Sequence, residues 1–182
     1  MWQYAGQYIL LPTEQGLVMV NQHRAHTAVL YAQFLEQLAD TRGVMQQMLF
    51  PEVLTLSQDE MVLMEQLLPD LRAIGFELEQ LSPDSYSVQG VPSQLAAHSP
   101  LPTLQHILHQ VRERGADTRT EWREQIALAL AEQGAVPYGK VLTEPEMRDV
   151  MIRLVQLPAY RHTPDGKVIL TLLSNEEISK RF

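Results

Sequence analysis

Cysteine is absent from this chain of 182 residues, and that absence removes disulfides, thiolate metal ligands and cysteine nucleophiles together. Basic charge is scarce as well. The 14 Lys and Arg against 22 Asp and Glu leave a formal net charge of -8, and the averaged field of such a chain repels phosphate. Strong sequence-independent binding to DNA by this chain alone is not expected, and any contact with DNA is expected to be weak, local or indirect. No stretch approaches the ~20 consecutive apolar residues that cross a bilayer, so no membrane span is expected. The opening Met1-Trp2-Gln3-Tyr4 has neither a basic region nor a long apolar run; nothing in it reads as a secretion signal, and the expected setting is cytoplasmic. No segment resembles a nucleotide-binding loop, an internal repeat or a low-complexity tract. What is present, 45% hydrophobic and 20% charged residues, is the composition of a soluble globular protein. The length suits one domain with room for two small subdomains.

Apolar periodicity sets an order of elements. Gln7-Tyr8-Ile9-Leu10-Leu11 and Leu17-Val18-Met19-Val20, joined by the turn-forming Thr13-Glu14-Gln15-Gly16, predict a β-hairpin. Val29, Leu30, Phe34, Leu35 and Leu38 recur at helical spacing, which predicts a helix from Ala25 to Leu38 that stops by Gly43. Met48 to Leu54 reads as a strand, and Pro51 within it argues for an edge position or a bulge. Ser57-Gln58-Asp59-Glu60 has the form of a capping box and predicts a helix to about Ile74. Strands follow at Phe76 to Leu81 and Tyr86 to Val91, then helices at Thr103 to Arg114 and Glu121 to Glu132. Thr143-Glu144-Pro145-Glu146 caps a further helix, Met147 to Leu157, with its proline in the permitted first turn. Asp165-Gly166 makes a turn, Val168 to Leu173 a strand, and Ser174-Asn175-Glu176-Glu177 caps a last short helix. The middle of the chain thus forms its own α/β layer between two flanking segments.

Three segments carry a resemblance to a known family. Asn21-Gln22-His23-Arg24-Ala25-His26 follows the hairpin, opens a helix and leads to Tyr31. It is similar to the D-Q-H-A-x-x-E-x-x-x-x-E motif of the MutL C-terminal domain, in which a strand runs into a helix. Arg161-His162-Thr163-Pro164-Asp165-Gly166-Lys167 lies one strand before the capped terminal helix, where many members carry C-P-H-G-R-P-T. Pro137 to Met147 resembles the family's turn between its last long helices. The resemblance implies an α/β (α+β) fold of two subdomains: a discontinuous dimerisation subdomain, 1–46 and 118–182, and an inserted regulatory subdomain, 47–117. It also implies a homodimer that links two N-terminal ATPase domains, the sites of ATP binding, together with docking of other mismatch repair proteins. No cofactor is implied in this domain, and which residues form the dimer contact is not implied either.

Metal-dependent cleavage of a phosphodiester needs clustered carboxylate, imidazole or thiolate ligands. In the nuclease-type members these include the aspartate and both glutamates of the first motif, whose positions correspond to Asn21, Thr27 and Ala32, none of them a carboxylate. The cysteine and histidine of the C-P-H motif fall on Thr163 and Asp165. The resemblance therefore implies a domain without nuclease activity and without a catalytic residue. The alternative is a nicking endonuclease with non-standard ligands, His23, His162 and Asp165; against it stands a His23 that packs at the strand-to-helix junction and an Asp165-Gly166 that is only a turn. His106 and His109 share a helix face, and with no third ligand they read as a solvated pair beside Leu104, Leu108 and Val111.

Gln46-Gln47-Met48-Leu49-Phe50-Pro51 resembles the Q-x-x-(L/I)-x-P sequence through which members of this family engage the replicative sliding clamp. A glutamine at the rim of a groove, apolar anchors at Met48, Leu49 and Phe50, and a proline that pre-orders the segment suit that task. The other reading is a half-buried edge strand with Leu49 and Phe50 in the core.

Overall fold

The computed structural model describes residues 1–40, 43–115 and 118–182, with every side chain among them except that of Arg114. In chain order the elements are β1 (Trp2–Tyr4), β2 (Tyr8–Thr13), β3 (Gly16–Asn21), α1 (Gln22–Asp40), β4 (Met45–Thr55), α2 (Gln58–Ile74), β5 (Glu77–Ser82), β6 (Ser85–Pro92), α3 (Pro100–Arg114), α4 (Arg119–Gly134), α5 (Glu144–Val155), β7 (Leu170–Ser174) and α6 (Asn175–Ser179). Two antiparallel sheets with helices make the fold α+β. Among the described residues no helix is long and apolar enough to cross a membrane.

Two compact units share the chain. The first takes Met1–Tyr31 and Ala135–Phe182, the second Ala32–Gly134. The units change over inside α1 and directly after α4. Packing of α4 along α3 explains the later border, because Ile126 to Ala131 are six consecutive buried residues that a single amphipathic stripe does not describe.

The first unit is built on a sheet ordered β1-β2-β3-β7. The β2–β3 hairpin closes over Glu14-Gln15 with Thr13 paired to Gly16, and a β-carbon on Gly16 would lie 2.2 Å from the Leu173 carbonyl oxygen, so only glycine fits beside β7. Alternation then sorts the sheet into faces. Ile9 and Val20 point inward and are fully buried with Ala25, Ala28 and Val29 of α1 and Met147, Val150 and Leu154 of α5. The β1 strand was not anticipated, since three residues give too short a period to read. The last strand begins at Leu170 rather than Val168, which is held instead in an isolated bridge with His162.

The second unit carries a three-stranded sheet ordered β4-β6-β5. Leu54, Leu78, Tyr86 and Val88 are buried on one face of it. The capping box of Ser57 and Glu60 opens α2, and Gly75, left-handed at φ 112°, closes it. Within this unit Asp70 of α2 is almost fully buried and accepts hydrogen bonds from Arg119 at 3.0 and 3.2 Å and from Arg123 at 2.9 Å. A buried carboxylate costs several kcal/mol unless paired in this way.

Candidate functional sites

In the first unit, side chains of the Asn21–Thr27 segment hold the strand-to-helix junction by hydrogen bonds. Asn21 ends β3, and its Oδ1 accepts the Arg24 backbone N–H at 3.0 Å, the bond of an N-cap. Thr27, also buried, donates to the His23 carbonyl at 2.9 Å. Val136 is held from both sides: its carbonyl lies 2.9 Å from His23 Nδ1, and its N–H donates to His26 Nδ1 at 3.0 Å. A carbonyl only accepts, so His23 carries its proton on Nδ1, whereas His26 must keep Nδ1 free. Burial, reinforced by the Arg153 charge, accordingly holds the His26 pKa below its ordinary value. The His23 ring also packs against Tyr138 at 4.6 Å between centroids. Ala32 sits half-buried on α1.

Gln22, fully buried, was not singled out from sequence. Its Nε2 donates to the Gly6 carbonyl at 2.8 Å and to the Lys140 carbonyl at 2.9 Å, and its Oε1 accepts from Gln3 at 2.5 Å. Gly6 meanwhile approaches Gly139 so closely that a β-carbon on it would lie 2.9 Å from the Gly139 Cα. A polar residue at the first position of a helix carries no signal of burial, which is why periodicity passes it by.

The second motif is a self-contained turn. Thr163 Oγ1 donates to Asp165 Oδ1 at 2.5 Å and accepts the Lys167 N–H at 2.9 Å, and Lys167 Nζ lies 2.7 Å from Asp165 Oδ2. Burial alone would raise the Asp165 pKa; the bonds from Lys167 and Thr163 outweigh it and leave the carboxyl below its ordinary value. His23, His162 and Asp165 are not gathered into a metal site: among the described residues no three His, Asp or Glu side chains are placed to hold an ion. His109 is exposed as expected, but His106 is not merely solvated, since its Nε2 lies 3.1 Å from Glu132, which also accepts from Gln110 at 2.8 Å.

Gln46 to Pro51 forms an exposed arch on the edge strand of the second sheet. Gln46 pairs with Val91 and Gln47 with Gly90; the ladder then resumes at Glu52 opposite Val88. Between Gln47 and Glu52 the edge strand advances five residues while β6 advances two, and the surplus of three is thrown outward as a bulge. Leu49 is 91% exposed and Phe50 83% exposed. The edge position and bulge argued from Pro51 are present, and the core placement of Leu49 and Phe50 is overturned: the bulge lifts both off the sheet before either reaches its buried face.

A second apolar surface lies on the first sheet. Register puts Trp2, Leu10 and Met19 in one row, Tyr4 and Tyr8 in the next, and Leu17 and Leu173 in a third, all on the face opposite Ile9 and Val20. Trp2 is 49% exposed and Tyr4 61%. Edge strand β7, Leu-Thr-Leu-Leu-Ser, has no charge or proline to protect it.

Comparison with known proteins agrees with the family resemblance. Residues 1–142 match the family model of the MutL C terminal dimerisation domain. The DNA mismatch repair protein MutL of Bacteroides fragilis is 38% identical over 180 residues, 99% of this chain and 29% of that protein. That of Phocaeicola vulgatus is 33% identical over 181 residues, covering 100% and 29%, and that of Flavobacterium johnsoniae 30% identical over 181 residues, covering 100% and 28%. The chain thus spans under a third of the length of the curated relatives it matches. On the family match and these identities, the chain belongs to the MutL C-terminal dimerisation domain family of DNA mismatch repair proteins.

Proposed function

We propose that this domain is the homodimerisation module of a MutL mismatch repair protein, joining two N-terminal ATPase domains, and that it is not itself catalytic. The observation that carries the reading is the outer face of the first sheet, where Trp2, Tyr4, Tyr8, Leu17, Met19 and Leu173 form a contiguous apolar surface beside an unprotected edge. Monomeric proteins rarely leave such a patch to water, and aromatic residues are those most enriched at the centre of interfaces. The face belongs to the compact unit formed from both ends of the chain, which suits a dimerisation subdomain, and the unit from the middle suits a regulatory one. Absence of nuclease activity is supported by the structural work that Asn21, Thr27, Thr163 and Asp165 do in place of ligands. Replacing Met19 and Leu173 by Glu places charges in the middle of the proposed contact. The pair is expected to halve the mass measured by light scattering while the circular dichroism spectrum is kept; an unchanged dimer mass rejects this face as the contact.

A second task is favoured by the arch. Its shape supports recruitment of the sliding clamp through Gln46, Met48, Leu49, Phe50 and Pro51, because the two large anchors are already in solvent. Gln46→Ala with Pro51→Ala is expected to weaken capture of the clamp without altering dimer mass.

A further inference from the structure

We infer that the arch docks as it stands, with the β4–β6 ladder intact on both sides of it, so that the partner's groove takes a loop with fixed feet rather than a strand peeled from the sheet. This rests on the recruitment reading above. The feet are firmly placed. Met45, Gln46 and Gln47 pair with Pro92, Val91 and Gly90 on one side, and Glu52 to Thr55 pair with Val88 to Ser85 on the other. At ~3.4 Å per residue, the two-residue advance of β6 holds Gln47 and Glu52 only ~7 Å apart along the sheet, whereas the same segment drawn straight would span ~17 Å. A partner that demanded the straight form would have to strip one foot.

Each foot is costly to strip. On the first, Met45 lies across Gly90, so close that a β-carbon there would meet its sulfur at 2.7 Å, and Val91 beneath is 4% exposed. On the second, Leu54 is 1% exposed and Val88 opposite Glu52 is fully buried. Stripping either would open the ladder and wet apolar surface. Docking the arch whole requires neither, because Leu49 and Phe50 are exposed before any partner arrives. A hollow of about 380 Å³ is lined by the arch residues Met48, Leu49 and Phe50 together with Glu52, Val91 and Ala96. A loop with pinned ends also loses less freedom on docking than a free segment does.

Absence of cysteine makes the test clean. Met45→Cys with Pro92→Cys pins the first foot across a directly paired position, where the ~4.5–5.5 Å between facing Cα atoms of antiparallel strands lies within disulfide range. Val53→Cys with Ser87→Cys pins the second foot in the same way and stands in if the first bond does not form. Clamp binding is measured on each protein oxidised and reduced, beside the unaltered chain and a Leu49→Ala, Phe50→Ala control. The expected result is that oxidation leaves affinity unchanged or tightens it, while the control loses binding. Oxidised protein that binds roughly tenfold more weakly or worse than its reduced form, with the reduced form matching the unaltered chain, overturns the inference and leaves recruitment standing. If the unaltered chain fails to bind the clamp, the recruitment reading falls and this inference with it.

Discussion

Replacing Gln22 by Leu tests how much the junction at the altered motif depends on one buried amide. Leu keeps approximately the same volume and removes three side-chain hydrogen bonds, to Gly6, Lys140 and Gln3. Neither carbonyl is orphaned, since Gly6 still accepts from the Gly139 N–H at 2.9 Å and Lys140 from Gln3 at 2.8 Å. The loss is therefore that of three ordinary bonds at ~1 kcal/mol each, about 3 kcal/mol in all, without the larger penalty of stranded acceptors. For a chain of this size each kcal/mol moves the melting temperature by ~2–4 °C, so a fall of about 6–12 °C is expected by differential scanning calorimetry. Gln22→Glu should fall further, because a carboxylate oxygen would then face two carbonyls. A fall below ~2 °C for Gln22→Leu would refute the reasoning, since it would mean that water replaces all three bonds at no cost.

Other outcomes follow from the same geometry. The His26 pKa lies below its ordinary 6.5 in the folded chain, so the unfolded chain binds the extra proton first as pH falls. Stability is then complete above about pH 6.5, declines below it until the folded pKa is reached, and in urea titrations His26→Gln flattens that decline. Asp70→Asn neutralises the acceptor of three guanidinium bonds, while the part-exposed Arg119 and Arg123 regain water. A cost of about 2 kcal/mol is expected in the urea midpoint, and a change within experimental error would contradict that pairing. On supercoiled plasmid with manganese the chain is expected to produce no nicks above background; robust nicking abolished by His23→Ala would restore the endonuclease reading.

Much of the fold is legible in the sequence where local chemistry is strong. The capping boxes at Ser57, Thr143 and Ser174 mark their helices because serine or threonine and a glutamate three residues on satisfy free amides reciprocally. Pro51 announces an edge and a bulge because it cannot donate to a central ladder. What stays hidden depends on contacts distant in the chain. Gln22 meets Lys140 from 118 residues away, and a glutamine at a helix start looks solvated from sequence alone. Leu49 and Phe50 carry the composition of a core strand, and only the three-residue surplus against β6 turns them outward. The outer face of the first sheet emerges only when β1 and β7 take their places beside the hairpin.

Dimerisation is the central claim, and the mass of the unaltered chain in solution tests it most directly. Static light scattering across a micromolar dilution series is expected to give twice the 20.7 kDa of one chain. A mass of 20.7 kDa at every concentration would contradict the account.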